Sequence, residues 1–292
     1  MINETEILHK LPQLLALNPR IAAGAGDDCA VINMQGDYQL LAAADQLIEN
    51  IHFLPETSPF DAGKKLMNRN LSDIAAMGGK PLTALLTIAV NGRDTQYVED
   101  FISGAAQAGQ IFDVPVCGGD TASLPAPGTA ATLTILGEVP HGKAVMRSGA
   151  KPGELIYVTG EIGNSFDSCH HLHFVPRLKE GLLLREHVSA MLDISDGLLL
   201  DARRLAEASQ VTLALDIPQI PLRQGASLPG ALADGEDYEL FFTSPLKPAF
   251  FSALLPCRVT CIGRVIPQKE QALVTLDETT PIAMENFGYV HR

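Results

Sequence analysis

Short apolar runs, one of which closes on an aspartate, alternate along this chain with longer stretches of helical spacing. That alternation restricts the fold to strands packed against helices. Residues 39–44 (Gln-Leu-Leu-Ala-Ala-Ala) read as a buried strand ending at Asp45. Residues 83–90, 131–139, 155–159, 211–217, 238–243 and 259–265 read as further strands. Residues 114–116 read as a short strand running into Cys117-Gly118-Gly119-Asp120. Helical spacing predicts helices over residues 3–17, kinked or split at Pro12, and over 59–77, where Gly78-Gly79 and Pro81 stop it. Two more are expected over 96–112 and from Gly197 onward, the latter with Leu198, Leu199, Ala202, Leu205 and Ala206 on one face. The Gly/Pro-rich stretch 149–153 reads as a linker. The expected fold is therefore α/β (or α+β) in two domains, residues 1–148 and 149–292.

The 292 residues, 46% of them hydrophobic and 19% charged, provide enough apolar surface for a substantial core and exclude a disordered chain. No run approaches the ~18 apolar residues of a membrane span, and the first 19 residues lack the pattern of a signal peptide. Thirty-four acidic against 21 basic residues, a net charge of −13, argue against nucleic acid as a partner. Five cysteines without framework spacing suit a reducing cytoplasm. Tryptophan is absent and aromatics make up 5%, so stacking platforms are few.

The positions of the acids carry more information. Asp27-Asp28 follows Gly24-Ala25-Gly26; Asp45 ends an apolar run; Asp120 follows Gly118-Gly119; Asp193 and Asp196 flank Ser195; and Glu236-Asp237 follows Gly235. Carboxylates beside glycines stand where backbone closely approaches a phosphate or a hard cation. Taken singly, each is as well read as a cap or turn residue, Asp196 as the N-cap of the following helix. Asp73 fits that reading least, because an acid within an apolar helix needs a partner. If the set converges, oxygen-only ligands favour Mg²⁺ or Mn²⁺ over zinc.

Two other motifs are weaker. Gly137 to Ala144 nearly spells a phosphate-binding loop, but Ala144 supplies no hydroxyl and Gly137 lies within an expected strand. Cys169-His170-His171-Leu172-His173 places pairs of soft ligands on one helical face, though a structural zinc would need more ligands, such as Cys257 and Cys261.

Several blocks together resemble the thiamine-monophosphate kinase family: Gly24-Ala25-Gly26-Asp27-Asp28, Asp45 with Ile51-His52-Phe53, Asn70-Leu71-Ser72-Asp73, Gly118-Gly119-Asp120-Thr121, Met146-Arg147-Ser148, Asp193-Ile194-Ser195-Asp196-Gly197, and Gly235-Glu236-Asp237-Tyr238. They run in order over nearly the whole chain. The wider superfamily includes aminoimidazole-ribonucleotide synthetase, selenophosphate synthetase and a hydrogenase maturation factor. The resemblance implies an N-terminal domain dimerising through a shared β-barrel, a C-terminal α/β domain and an ATP cleft between them. It further implies Asp28, Asp45, Asp73, Asp120, Asp193 and Asp196 as ligands of several Mg²⁺ ions, and Gly119, Asp120, Arg147 and Ser195 as ATP contacts. His52 and Glu236 are implied as substrate contacts, and the reaction is phosphoryl transfer from ATP to thiamine monophosphate in a cytoplasmic homodimer.

The chain also departs from the family pattern. Ala43-Ala44 replace the hydroxyl residues before Asp45, Ala122-Ser123-Leu124 replace Thr-Arg-Gly after Thr121, and the stretch 163–184 is shorter and histidine-rich. Near the C-terminus, only Phe287 or Tyr289 stands where a tryptophan would stack on substrate. These departures leave two alternatives open: a related ATP-dependent enzyme acting on another small molecule, or a nucleotide-binding dimer without turnover.

Overall fold

The computed structural model describes residues 18–277 continuously, and residues 7, 10, 11, 14, 15, 282 and 288 besides. The helix expected over residues 3–17 falls largely outside the described residues. The chain opens with β1 (Ile21–Ala23), β2 (Ala30–Asn33) and β3 (Tyr38–Ile48), followed by α1 (Pro59–Ala76), β4 (Lys80–Asn91), α2 (Thr95–Ile111), β5 (Val116–Ser123) and β6 (Gly128–Pro140). These six strands form one open sheet in the order β1-β2-β3-β6-β4-β5, and no closed barrel forms among the described residues.

Burial in this sheet alternates with period two. Leu41, Ala43 and Leu47 of β3, Ala84, Leu86 and Ile88 of β4, and Ala131, Leu133 and Ile135 of β6 face inward beneath the helices, and their neighbours face outward. Four strands of this sheet run further than their sequence suggests: β4 and β6 lengthen at both ends, and β3 and β5 extend toward their C-termini. β3 continues past Asp45 to Ile48, because its pairing with β6 persists to Ala130. β5 begins where residues 114–116 were expected to end, because parallel pairing with β4 carries Gly118, Gly119 and Asp120 into the sheet despite their weak strand preference.

Helix α1 is buried on nearly every side. Pro59 occupies its first turn, where the missing N–H is no loss. It ends at Gly78, whose φ of +63° suits glycine, with Gly78 N donating to Ala75 O and Gly79 N to Ile74 O. Asp94 caps α2 by accepting from Tyr97 N at 2.9 Å.

The second sheet comprises β7 (Leu155–Thr159), β8 (Ala190–Asp193), β9 (Val211–Leu215), β10 (Leu240–Ser244), β11 (Val259–Pro267) and β12 (Leu273–Thr275), in the order β12-β9-β11-β7-β10-β8. The helices of this half are α3 (His170–His173), α4 (Leu178–Leu184), α5 (Leu198–Ser209), α6 (Leu228–Ala233) and α7 (Pro248–Leu254). Strands β7, β8, β9 and β10 are buried on both faces. One face, with Tyr157, Met191, Leu240 and Phe242, joins the core of the first sheet; the other, with Ile156, Val158, Leu192 and Phe241, packs with α5 and α6. Helix α1 contacts α2, α4, β3 and β8, so one apolar core runs through it from sheet to sheet.

The contact between α1 and α2 depends on glycine at both sides. A Cβ on Gly104 would stand 1.9 Å from the Phe60 carbonyl oxygen, and one on Gly63 equally close to that of Phe101. Gly104→Ala must push the helices apart. A destabilisation of about 2 kcal/mol is expected, read by thermal or urea unfolding as a fall of several degrees in melting temperature.

Candidate active site

Lys65, Arg69, Ser72 and Asp73 recur at i, i+4, i+7 and i+8 along α1, so they share one face of the helix. Each reaches a different part of the molecule. The Lys65 ammonium, fully buried, pairs with Glu236 and donates to the His52 carbonyl at 2.6 Å. Burial lowers its pKa, and Glu236 opposes that shift. Arg69 lies 3.3 Å from the Asp45 carboxylate and donates to Gln46 O at 3.0 Å. Ser72 Oγ donates to Asp193 Oδ2 at 2.5 Å, and Asn70 Oδ1 accepts from Asp45 N. A single helix thus fixes the end of β3, the end of β8 and the loop at Glu236 relative to one another.

Asp28, just before β2, Asp73 on α1 and Asp193 at the end of β8 bring carboxylate oxygens within 4.8 Å of one another. Two unit charges at that distance repel by about 3 kcal/mol at an effective dielectric of 20. Burial first, then the neighbouring carboxylates, push Asp73 and Asp193 well above the usual range. Arg147 offsets part of the charge by donating to Asp28 Oδ1 at 2.5 Å, while its backbone N–H binds Asp27. The other oxygen of Asp28 is buried and has no hydrogen-bond partner. Three oxygen donors, one of them orphaned, form a set suited to a hard divalent cation.

The loop beyond Asp193 is held by residues that the sequence reading did not single out. Asp201 Oδ2 accepts from Ser195 N at 3.1 Å and Asp196 N at 3.0 Å, and Arg204 bridges Asp196 (2.6 Å) and Asp201 (2.8 Å). Burial, then Asp196, pushes the Asp201 carboxyl up to about 7. Asp196 is not the N-cap of α5: Gly197 occupies that position, at φ +113°, and the Asp196 carboxylate is held by Arg204 instead.

Beside the carboxylates lies a cavity of about 310 Å³ lined by His52, Arg69, Ser195, Asp196, Glu236 and Tyr238, with Phe166 and His171 along another wall. His52 Nδ1 accepts from Ile48 N at 2.9 Å. Glu236 and Tyr238 hold positive φ, 59° and 52°, a strained conformation for such side chains and one that marks functional loops. The strain is sustained by Glu236 N donating to Ser195 O and Tyr238 N to Ile194 O, each at 2.8 Å. Asp237 between them accepts from Gly163 N, Ser165 Oγ and Arg223, and burial raises its pKa to about 6.

Of the residues expected in the site, Asp28, Asp73 and Asp193 converge, Asp45 sits against Arg69 beside them, and Ser195, Asp196, His52 and Glu236 share the cavity. Arg147 pairs with Asp28. Gly119 and Asp120 stand apart on exposed β5. Register runs Asp45, Leu133, Leu86, Gly119 across four strands, which places Gly119 three strand spacings, roughly 14 Å, from Asp45. Phe287 and Tyr289 lie outside the described residues. The soft-ligand alternative does not assemble: His170 and His171 each turn a ring nitrogen to a backbone carbonyl, of Asp237 and Ser165. Among the described residues, no group of three potential ligands includes Cys169, His170, His171 or His173. Gly137 lies within β6, and Lys143 pairs with Glu186 rather than opening a phosphate loop.

Residues 26–139 match the family model for AIR synthase related protein, N-terminal domain. The chain is 34% identical to the thiamine-monophosphate kinase of Escherichia coli K12, over 93% of this chain and 92% of the relative. It is 30% identical to that of Bacillus subtilis, over 99% of both. A solved structure described as "AaThiL complexed with AMPPCP and TMP" superposes with a TM-score of 0.85 at 26% identity, covering 99% of this chain and 97% of the other. With a site of this composition and similarity over almost its full length, the chain belongs to the thiamine-monophosphate kinase family.

Proposed function

We propose that this chain transfers the γ-phosphoryl group of ATP to thiamine monophosphate, yielding thiamine diphosphate and ADP. The observation that carries the reading is the meeting of Asp28, Asp73 and Asp193 beside a cavity holding His52 and Glu236, with one Asp28 oxygen buried and unpartnered. Full-length relatives that carry the kinase name support it, as does a related structure that holds AMPPCP and TMP.

A phosphate monoester is largely a dianion at neutral pH, so the acceptor needs no general base. The work left to the protein is to hold two anions in line and cancel their repulsion. Asp28, Asp73 and Asp193 would hold Mg²⁺, with Asp45 and Asp196 flanking them and Asp120 contributing on the strength of resemblance alone. Bound there, Mg²⁺ would supply the charge that lets the two phosphorylated molecules approach. Ser195 and Arg147 are assigned to ATP, Arg147 with a buried Nε that has no hydrogen-bond partner; Gly119 and Asp120 share that role by resemblance. His52 and Glu236 are assigned to the acceptor, with Phe287 and Tyr289 as further contacts.

The chain is further proposed to act as a homodimer of two-domain protomers, divided near residue 149, with ATP in the cleft and the first sheet contributing to a shared barrel. The exposure of β5 along its length and of Leu82 and Leu85 on β4 supports an interface on this sheet. Ala43 and Ala44 favour the alternative of a nucleotide-binding dimer without turnover, since they bring no hydroxyl to the part of β3 just before Asp45.

Purified protein given ATP, Mg²⁺ and thiamine monophosphate is expected to form thiamine diphosphate and ADP in equal amounts. ADP formed only with a different acceptor would reassign the substrate; ATP-dependent thermal stabilisation without any ADP would select the inactive dimer. Asp73→Asn is expected to lower kcat by about a thousandfold or more. The melting temperature of the metal-free variant should not fall, because the substitution removes a repelling carboxylate. Retained turnover would take Asp73 out of the metal site.

A further inference from the structure

The segment from Gly163 to Phe174 is anchored at many points, yet phosphoryl transfer as described uses none of it. Arg223 donates to Gly163 O at 2.5 Å and to Ser165 Oγ at 3.1 Å, and Asn164 Nδ2 donates to Gln224 O at 3.0 Å. His171 is buried, with Nδ1 3.0 Å from the Ser165 carbonyl, so that nitrogen carries the proton. Burial lowers its pKa, which keeps the ring neutral. Phe166 lies flat on this ring, centroids 4.6 Å apart at 15°, and is 54% exposed. Both residues line the 310 Å³ cavity. An aromatic side chain fixed from behind and open toward a cavity is a preformed stacking surface, with its orientation already paid for by the fold.

The charges nearby define what would stack there. Asp167 and Asp234 line the same cavity, and neither enters an ion pair among the described residues. They sit close enough that Asp167, after burial, raises the pKa of Asp234. Arg69, the basic residue in the lining, is taken by Asp45. An aromatic face with uncompensated carboxylates beside it suits a flat cation.

We infer that Phe166, backed by His171, is the platform on which the cationic heteroaromatic ring of the acceptor stacks, with Asp167 and Asp234 supplying the opposing charge. The inference rests on the acceptor assigned above, whose thiazolium ring carries a positive charge. It identifies the wall of the cavity that distinguishes this acceptor from other phosphate monoesters. Ser195 and Asp196, just beyond Asp193, line the same cavity and mark the side on which the phosphate end would face the metal held by the carboxylates.

The test is steady-state kinetics on wild type, Phe166→Ala and Phe166→Tyr, with each substrate varied in turn. Because Phe166 is largely exposed, these variants should fold. Phe166→Ala is expected to raise KM for thiamine monophosphate about tenfold, roughly 1.4 kcal/mol, with KM for ATP unchanged and Phe166→Tyr near wild type. An unchanged KM for thiamine monophosphate would overturn the inference, as would an equal rise for ATP or a rise that Phe166→Tyr shares. Calorimetric titration with thiamine monophosphate alone separates this inference from the kinase reading. If wild type forms no thiamine diphosphate, tighter binding to wild type than to Phe166→Ala still supports the platform. Equal binding, or none to wild type, removes it.

Discussion

Mutual repulsion among Asp28, Asp73 and Asp193 is the constraint around which this molecule is arranged. Three carboxylates within 4.8 Å disfavour the fold that assembles them, and each comes from a different element. Their approach is maintained by the packing of the segments that carry them and by Arg147, Ser72 and Arg69. Burial and mutual repulsion raise Asp73 and Asp193 well above the usual carboxylate range, so the cluster resists full ionisation by itself. Such an arrangement is unfavourable by itself and becomes favourable when a divalent cation and anionic phosphates arrive together.

Helix α1 makes this possible. Its apolar surface fills the core between the sheets, and the stripe of Lys65, Arg69, Ser72 and Asp73 projects toward the site. Lys65 reaches the loop of the second sheet at Glu236, Arg69 the end of β3, and Ser72 the end of β8. The stripe lies on a rigid element buried along nearly its whole length, so the spacing of its groups is set by helix geometry rather than by loop conformation.

Much of this was legible in the residues. The helices at 59–77 and 96–112 end within a residue of their expected limits, because Pro59, Gly78 and the apolar period define them locally. Asp73 stood out as an acid in an apolar helix, and it lies at the centre of the site. Lys65, Arg69 and Ser72 were equally visible as polar residues in step with Asp73, but their partners lie up to 171 positions away, and spacing alone does not name them. Glycines carry no strand signal, so residues 117–123 do not read as strand, while the pairing of β5 with β4 is a tertiary fact. β1, β2, β8 and β12 are too short for periodicity to register. The histidine cluster drew attention as a set of metal ligands; burial and carbonyl partners make His171 a support for Phe166 instead.

The apolar core that passes through α1 also bears on how small molecules come and go. Tyr157, Met191 and Phe242 of the second sheet pack into the same cluster as Leu66, Met67 and Leu71 of α1, so the halves cannot swing apart without wetting that cluster. Traffic into the cavity is then left to local rotamer and backbone adjustments at its rim, around Phe166. These occur on nanosecond-to-microsecond timescales, faster than hinge closure. A protein built this way meets its ligands with a finished binding surface and spends little free energy on rearrangement when they dock.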